Sequence, residues 1–223
     1  MIDRNDGPSS IANGSGWSVA YLAMVGAPDA DIEGCRGAHV RMHDAIAQLS
    51  DAEVGRASLL PGWTVGHVLT HVARNADAMC RRIDAAIRGV VVDQYPGGVK
   101  GRAAEIEQGA GRPAVVLVAD VVESAGRLNA TFASLPDDGW VRQVRTVGGV
   151  EHPVSSSPFR RWREVEIHLV DLDIGPTAAD WTESFVERMM PRLMASLADR
   201  CDQRELMAWT LGRGAAPALD PWG

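Results

Sequence analysis

The sequence predicts a mainly α-helical protein, a four-helix bundle followed by a short helical C-terminal extension. Four long segments place apolar residues at intervals of three and four, the spacing of one helical face. Clusters of Pro, Gly and Asp punctuate the chain between them. Alternation with a period of two is confined to one short stretch, so no sizeable sheet is expected. With 223 residues, 46% of them hydrophobic, the chain fits one domain of ordinary size with a core to match.

Residues 1–30 are rich in Gly, Ser, Asp and Asn, lack periodicity and read as a poorly ordered tail. The apolar run at 17–25 follows Asp3, Arg4 and Asp6 rather than the basic segment of a secretory signal. From Asp31 a helix is expected through Val40, Met42, Ala45, Ile46 and Leu49. Ser50 and Glu53 then have the spacing of a capping box. Leu60-Pro61-Gly62-Trp63-Thr64 is a turn, with Thr64 placed to cap a second helix running to about Gly89. Residues 95–101 form a Pro/Gly-rich loop. The third long helix starts near Arg112-Pro113 and runs to Phe132, where Pro136-Asp137-Asp138-Gly139 follows. Residues 140–152 alternate in part around Gly148-Gly149, the pattern of a short hairpin or an extended loop. The fourth long helix covers 159–172 and stops at Asp173-Ile174-Gly175-Pro176. Residues 181–197 and 204–212 are helical by pattern. The expected division is a bundle over 31–175 and an extension over 176–223.

A net charge of −7 and a pI near 5.3 argue against a nucleic-acid or anionic-membrane binder. No stretch approaches the ~20 apolar residues of a membrane span. Cys35, Cys80 and Cys201 are widely spaced and form no CxxC pair. They read as buried or half-buried thiols of a reducing, cytoplasmic compartment. There is no phosphate-binding glycine loop and no internal repeat.

The chemistry lies in two helical stretches. His67 and His71 are four residues apart on one, and Glu164 and His168 are four apart on the other. Such pairs share a helical face. One imidazole from the first helix, with the carboxylate and imidazole of the second, would give three ligands and an open fourth position. That is the usual plan of a catalytic zinc site. Nitrogen and oxygen donors without sulfur also suit Mn, Fe, Co or Ni. Spacing alone does not rank His67 against His71. His39 and His43 share the same spacing and, with His152, read as surface or packing residues.

The segments Leu-Pro-Gly-Trp-Thr-Val-Gly-His-Val-Leu-Thr-His-Val-Ala-Arg-Asn-Ala-Asp and Trp-Arg-Glu-Val-Glu-Ile-His-Leu-Val-Asp-Leu resemble those of the mycothiol-dependent maleylpyruvate isomerase family. That family belongs to the DinB-like metal-binding helical bundles. The closing Leu-Met-Ala-Trp-Thr-Leu-Gly-Arg-Gly at 206–214 resembles a helix near the C-terminus of such proteins. The resemblance implies a DinB-like bundle with a divalent metal, most simply zinc, held by His71, Glu164 and His168. His67, one turn earlier, would then support a ligand or face the substrate. It further implies mycothiol or a similar thiol as cofactor. The thiolate would add to the double bond of maleylpyruvate, the resulting single bond would rotate, and the thiol would leave to give fumarylpyruvate. Arg74 and Arg213 are the expected partners of the dianionic substrate, and Arg213 is also a cofactor-binding candidate. Thiol transfer to an electrophile, or a non-catalytic metal-containing bundle, are the alternatives. The expected partners are a small-molecule substrate and the thiol, in a monomer or homodimer. Larger relatives carry strands ahead of the Trp-x-x-Gly-Arg helix. Here only 198–203 separate the last two predicted helices, so those strands are not expected.

Overall fold

Local caps set where the helices begin. Ser50 accepts from the Glu53 amide, and the Glu53 carboxylate takes the Ser50 N–H in return, starting a one-turn helix. Thr64 opens the longest helix in the same way, with His67 in the reciprocal position. At the same end of the bundle Asp173 sits at φ 53°, closing the last bundle helix in the left-handed conformation that Asp tolerates. The computed structural model describes residues 26–220. Residues 1–25 of the expected tail, with its apolar run, lie outside the described residues.

The elements are α1 (Asp29–Ile46), α2 (Asp51–Val54), α3 (Val65–Ile87), α4 (Gly98–Ala110), α5 (Ala114–Ala133), strands β1 (Gln143–Arg145) and β2 (Glu151–Pro153), then α6 (Ser157–Asp171), α7 (Glu183–Ser196) and α8 (Gln203–Thr210). Helices α1, α3, α5 and α6 form the four-membered bundle. In it α1 packs on α6 and α5, and α3 packs on α5 and α6. This is the expected DinB-like helical fold. The two strands pair as an antiparallel hairpin, Val144 opposite His152, with Gly149 at φ 83° in the turn. Helix α4 is not expected from the sequence: it starts within the Pro/Gly-rich segment 95–101 and continues through 102–110, where the pattern predicts no element.

One core joins the elements: Cys35, Met42 and Ile46 of α1, Leu69, Val72 and Ile83 of α3, Leu117 and Leu128 of α5, and Val165 of α6. Phe185 and Met189 of α7 join the same core. Val40, expected on the apolar face of α1, points to solvent because the buried stripe runs through Cys35, Ala38, Met42 and Ile46 instead. Two glycines allow close approaches. A side chain at Gly34 would collide with the Trp162 ring, which ties α1 to α6. One at Gly66 would collide with the Ala110 carbonyl, where the end of α4 docks on α3. Among the described residues no helix is long and apolar enough to cross a membrane.

Candidate active site

Helix α3 presents His71 toward α6, where Glu164 and His168 lie one turn apart. His71 Nε2 is 2.7 Å from Glu164 Oε1, and His168 Nε2 is 3.6 Å from the same oxygen. The two imidazoles meet edge to face, their centroids 4.8 Å apart. One ligand atom from each of the three residues lies within 4.8 Å of the others. Bonds of about 2.0–2.1 Å in a tetrahedral arrangement place neighbouring ligand atoms roughly 3.3 Å apart, so the donors are spaced to share one ion with little movement.

The surroundings hold these groups in place. Asp171, one turn beyond His168, takes its Nδ1 at 2.8 Å and leaves Nε2 directed at Glu164. Asn75 donates through Nδ2 to Glu164 Oε1 at 3.1 Å. Its Oδ1 accepts from Arg161 Nη1 at 3.0 Å, which settles the orientation of the amide. Arg161 is fully buried. It also donates to the Val72 carbonyl at 2.8 Å and to His39 Nε2 at 3.1 Å. Backbone links add to this, since the Leu59 N–H reaches the Asp171 carbonyl at 2.9 Å and pins the turn before α3 to the end of α6.

Charge follows from this packing. Burial pulls the pKa of His168 down, but the Asp171 and Glu164 carboxylates more than reverse it, and it rises to about 9. Burial alone would lift the Glu164 carboxyl. The hydrogen bonds from His168 and His71 outweigh it and hold Glu164 well below the usual carboxylate range. His71 is lowered, chiefly by burial, against the pull of Glu164.

The sequence profile of the mycothiol maleylpyruvate isomerase N-terminal domain family matches residues 35–173, well over half of the chain. The chain belongs to this family. Its fold is similar to the crystal structure of a mycothiol-dependent maleylpyruvate isomerase, at 29% identity and a TM-score of 0.70, over 74% of this chain and 69% of that one. The crystal structure of a histidine-to-alanine mutant of a mycothiol-dependent maleylpyruvate isomerase matches at 28% identity with the same TM-score and coverage. No curated protein matches.

The remaining expected residues lie elsewhere. His67 belongs to the cap of α3. Its Nδ1 meets the Thr64 amide at 3.2 Å and hydroxyl at 2.8 Å, and its Nε2 faces Glu107 at 3.2 Å. Arg74 is committed to Asp120 at 2.5 Å and Asp77 at 2.9 Å. Arg213 is exposed, bonded at 3.4 Å to the carbonyls of Leu211 and Gly212 beside it. Glu166, two residues from Glu164, points to another face of α6 and pairs with Arg41 and the Trp162 indole. His39 and His152 are buried packing residues. Burial pushes the Cys35 thiol up to about 12, which makes it a poor nucleophile.

Sequence reasoning missed three contributors. Asp171 was visible as a carboxylate one turn past His168. Asn75, one turn past His71, was visible in the same way. Arg102 was not visible, because it belongs to α4. Its Nη2 lies 3.2 and 3.3 Å from the two ring nitrogens of His71, off the line of either lone pair, and its guanidinium sits 5.8 Å over the Trp63 ring.

Proposed function

We propose that the chain is a metal-dependent enzyme that uses mycothiol or a similar small thiol to convert maleylpyruvate to fumarylpyruvate. The observation that carries this reading is the meeting of His71, Glu164 and His168 at one point within a member of this isomerase family. Two imidazoles and one carboxylate suit a divalent ion, zinc first, with a coordination position left over. Such an ion supplies Lewis acidity and keeps a small thiol in its thiolate form near neutral pH.

The chain's own residues do the rest. Asp171 fixes His168 so that Nε2, not Nδ1, is offered to the site. Asn75 restrains the Glu164 carboxylate, and buried Arg161 restrains Asn75. Trp63 meets His71 edge to face, ring centroids 5.6 Å apart, and limits water at that imidazole. Arg102 places a cation beside the site, where negative charge develops as a thiolate adds to an unsaturated ketone.

Elemental analysis of the purified chain should find one divalent ion per molecule, and His71→Ala should bind none. Full metal content in His71→Ala would remove the ligand assignment. Maleylpyruvate should isomerise only with thiol present, at constant thiol concentration. Consumption of thiol would identify a transferase instead. His67→Ala should retain its metal, because that ring caps a helix.

A further inference from the structure

A cavity of about 430 Å³ lies beside the triad, between α3, the hairpin and the first half of α6, with Glu164 and Asn75 in its wall. Its volume is that of a small-molecule site, on the order of 300–1,000 Å³. Three arginines line it: Arg82, Arg160 and Arg163. Its one carboxylate is Glu164, whose charge is already taken by His71, His168 and Asn75.

Arg82 is 3% exposed and has no carboxylate partner among the described residues. It donates to the Arg145 carbonyl at 2.8 Å and, at 3.4 Å, to the Ala78 carbonyl. Burial lowers its pKa to about 10, so at neutral pH it is a buried cation with no ion-pair partner among the described residues. Arg160 is half-buried and makes no hydrogen bond or ion pair with another described residue. His152, also in the wall, has its Nδ1 engaged by the Ser156 hydroxyl at 2.8 Å, while its buried Nε2 has no partner among the described residues. Met79, Val147 and Val150 supply apolar wall for a short carbon skeleton.

We propose that this cavity is a carboxylate subsite, in which Arg82 and Arg160, with Arg163 beside them, hold a small dianionic acid with its carbon skeleton against Glu164. Guanidinium groups grip carboxylates through paired N–H donors. Binding of such an acid supplies the counter-charge that Arg82 lacks. The placement of its reacting bond next to the triad rests on the function proposed above; the anion site itself does not.

The probe is maleate, titrated calorimetrically into the full chain, with inorganic phosphate as a second ligand. Wild type should bind maleate in preference to phosphate. Arg160→Gln should weaken maleate at least tenfold with metal content unchanged, and Arg160→Lys should recover part of the loss. Arg82→Lys, checked for an intact thermal transition, should weaken it similarly. Arg127→Gln, on the outer face of α5, should match wild type. No maleate binding in wild type, equal binding in Arg160→Gln and folded Arg82→Lys, or a preference for phosphate each overturns the subsite. Maleate binding that depends on Arg160, without thiol-dependent isomerisation, would remove the proposed reaction and leave the subsite standing. Isomerisation with a KM indifferent to Arg160→Gln would do the reverse.

Discussion

Two stripes of α3 carry arginines into very different company. One stripe, Thr70, Arg74, Asp77 and Arg81, faces α4 and α5. There Arg74 meets Asp77 and Asp120, Arg112 meets Asp120 at 2.8 Å, and Arg127 meets Asp77 at 2.7 Å. The other stripe, His71, Asn75, Met79 and Arg82, faces α6 and the hairpin. There Arg82 and Arg161 are buried with only neutral acceptors, and Glu164 and Asp171 are committed to imidazoles. Leaving a buried cation without a carboxylate is costly. Arg81, at the end of the first stripe, reaches only the Gln94 carbonyl, but it is exposed to water. A protein that pairs its half-buried arginine on one side of a helix with two aspartates and leaves a buried one on the other side with none has reserved the second side for something that arrives with charge.

The largest effect should come from the cation that is deepest on the uncompensated side. Arg161→Ala takes a donor from Asn75 Oδ1, His39 Nε2 and the Val72 carbonyl. It should cost roughly 3–5 kcal/mol in urea unfolding. A loss under 1 kcal/mol would mean that this side tolerates the absence of its buried cation, and the contrast between the stripes would lose its energetic meaning.

Next in size is Asp171→Asn, which keeps the shape but weakens the hold on His168 Nδ1. Zinc affinity, read by competition with a chromophoric chelator, should fall about 10–100-fold. An unchanged affinity would show that Asp171 does not orient its neighbour. His39 sharpens the comparison through pH. Burial first, then the Arg161 charge, lower its pKa from 6.5 to about 3. Between those values the unfolded chain carries a proton that the folded chain refuses, so folding stability falls with falling pH, by about 1.4 kcal/mol per unit from this group. The component is fully present as stability above pH 6.5. Relative to wild type, His39→Gln should flatten the slope of unfolding free energy between about pH 4 and 5.5 by that amount, and parallel slopes would remove His39 as its source.

What was legible in the sequence is what short range dictates. The caps at Ser50 and Thr64, and the pairing of Glu164 with His168, follow from helical geometry over three or four residues. Helix α4 escaped because Gly98, Gly101 and Gly109 lower its intrinsic propensity and only Ile106 and Ala110 are buried. It is held by docking, with Gly66 of α3 admitting its last turn, and that is a tertiary fact. Arg102 was lost with it. Nor does the sequence distinguish Arg74 from Arg82. Both are arginines on one helix, and what separates them is Asp120, 46 positions from Arg74, while no carboxylate among the described residues forms an ion pair with Arg82.

The smallest effect tests the neutralised stripe directly. Arg74 and Arg213 were the cations that the family resemblance offered to a dianionic substrate, but Arg74 is spent on two aspartates and Arg213 on adjacent carbonyls. Exposed and partly exposed ion pairs contribute about 0–1 kcal/mol, so Arg74→Ala should lower stability by no more than that. Maleate binding should shift by less than about twofold, under 0.5 kcal/mol, in Arg74→Ala and in Arg213→Ala. The two variants separate the possibilities because neither residue lines the arginine cavity. A tenfold loss in Arg74→Ala would mean that Asp120 and Asp77 release this arginine to the ligand, and the charge-matched side of α3 would then be the binding side.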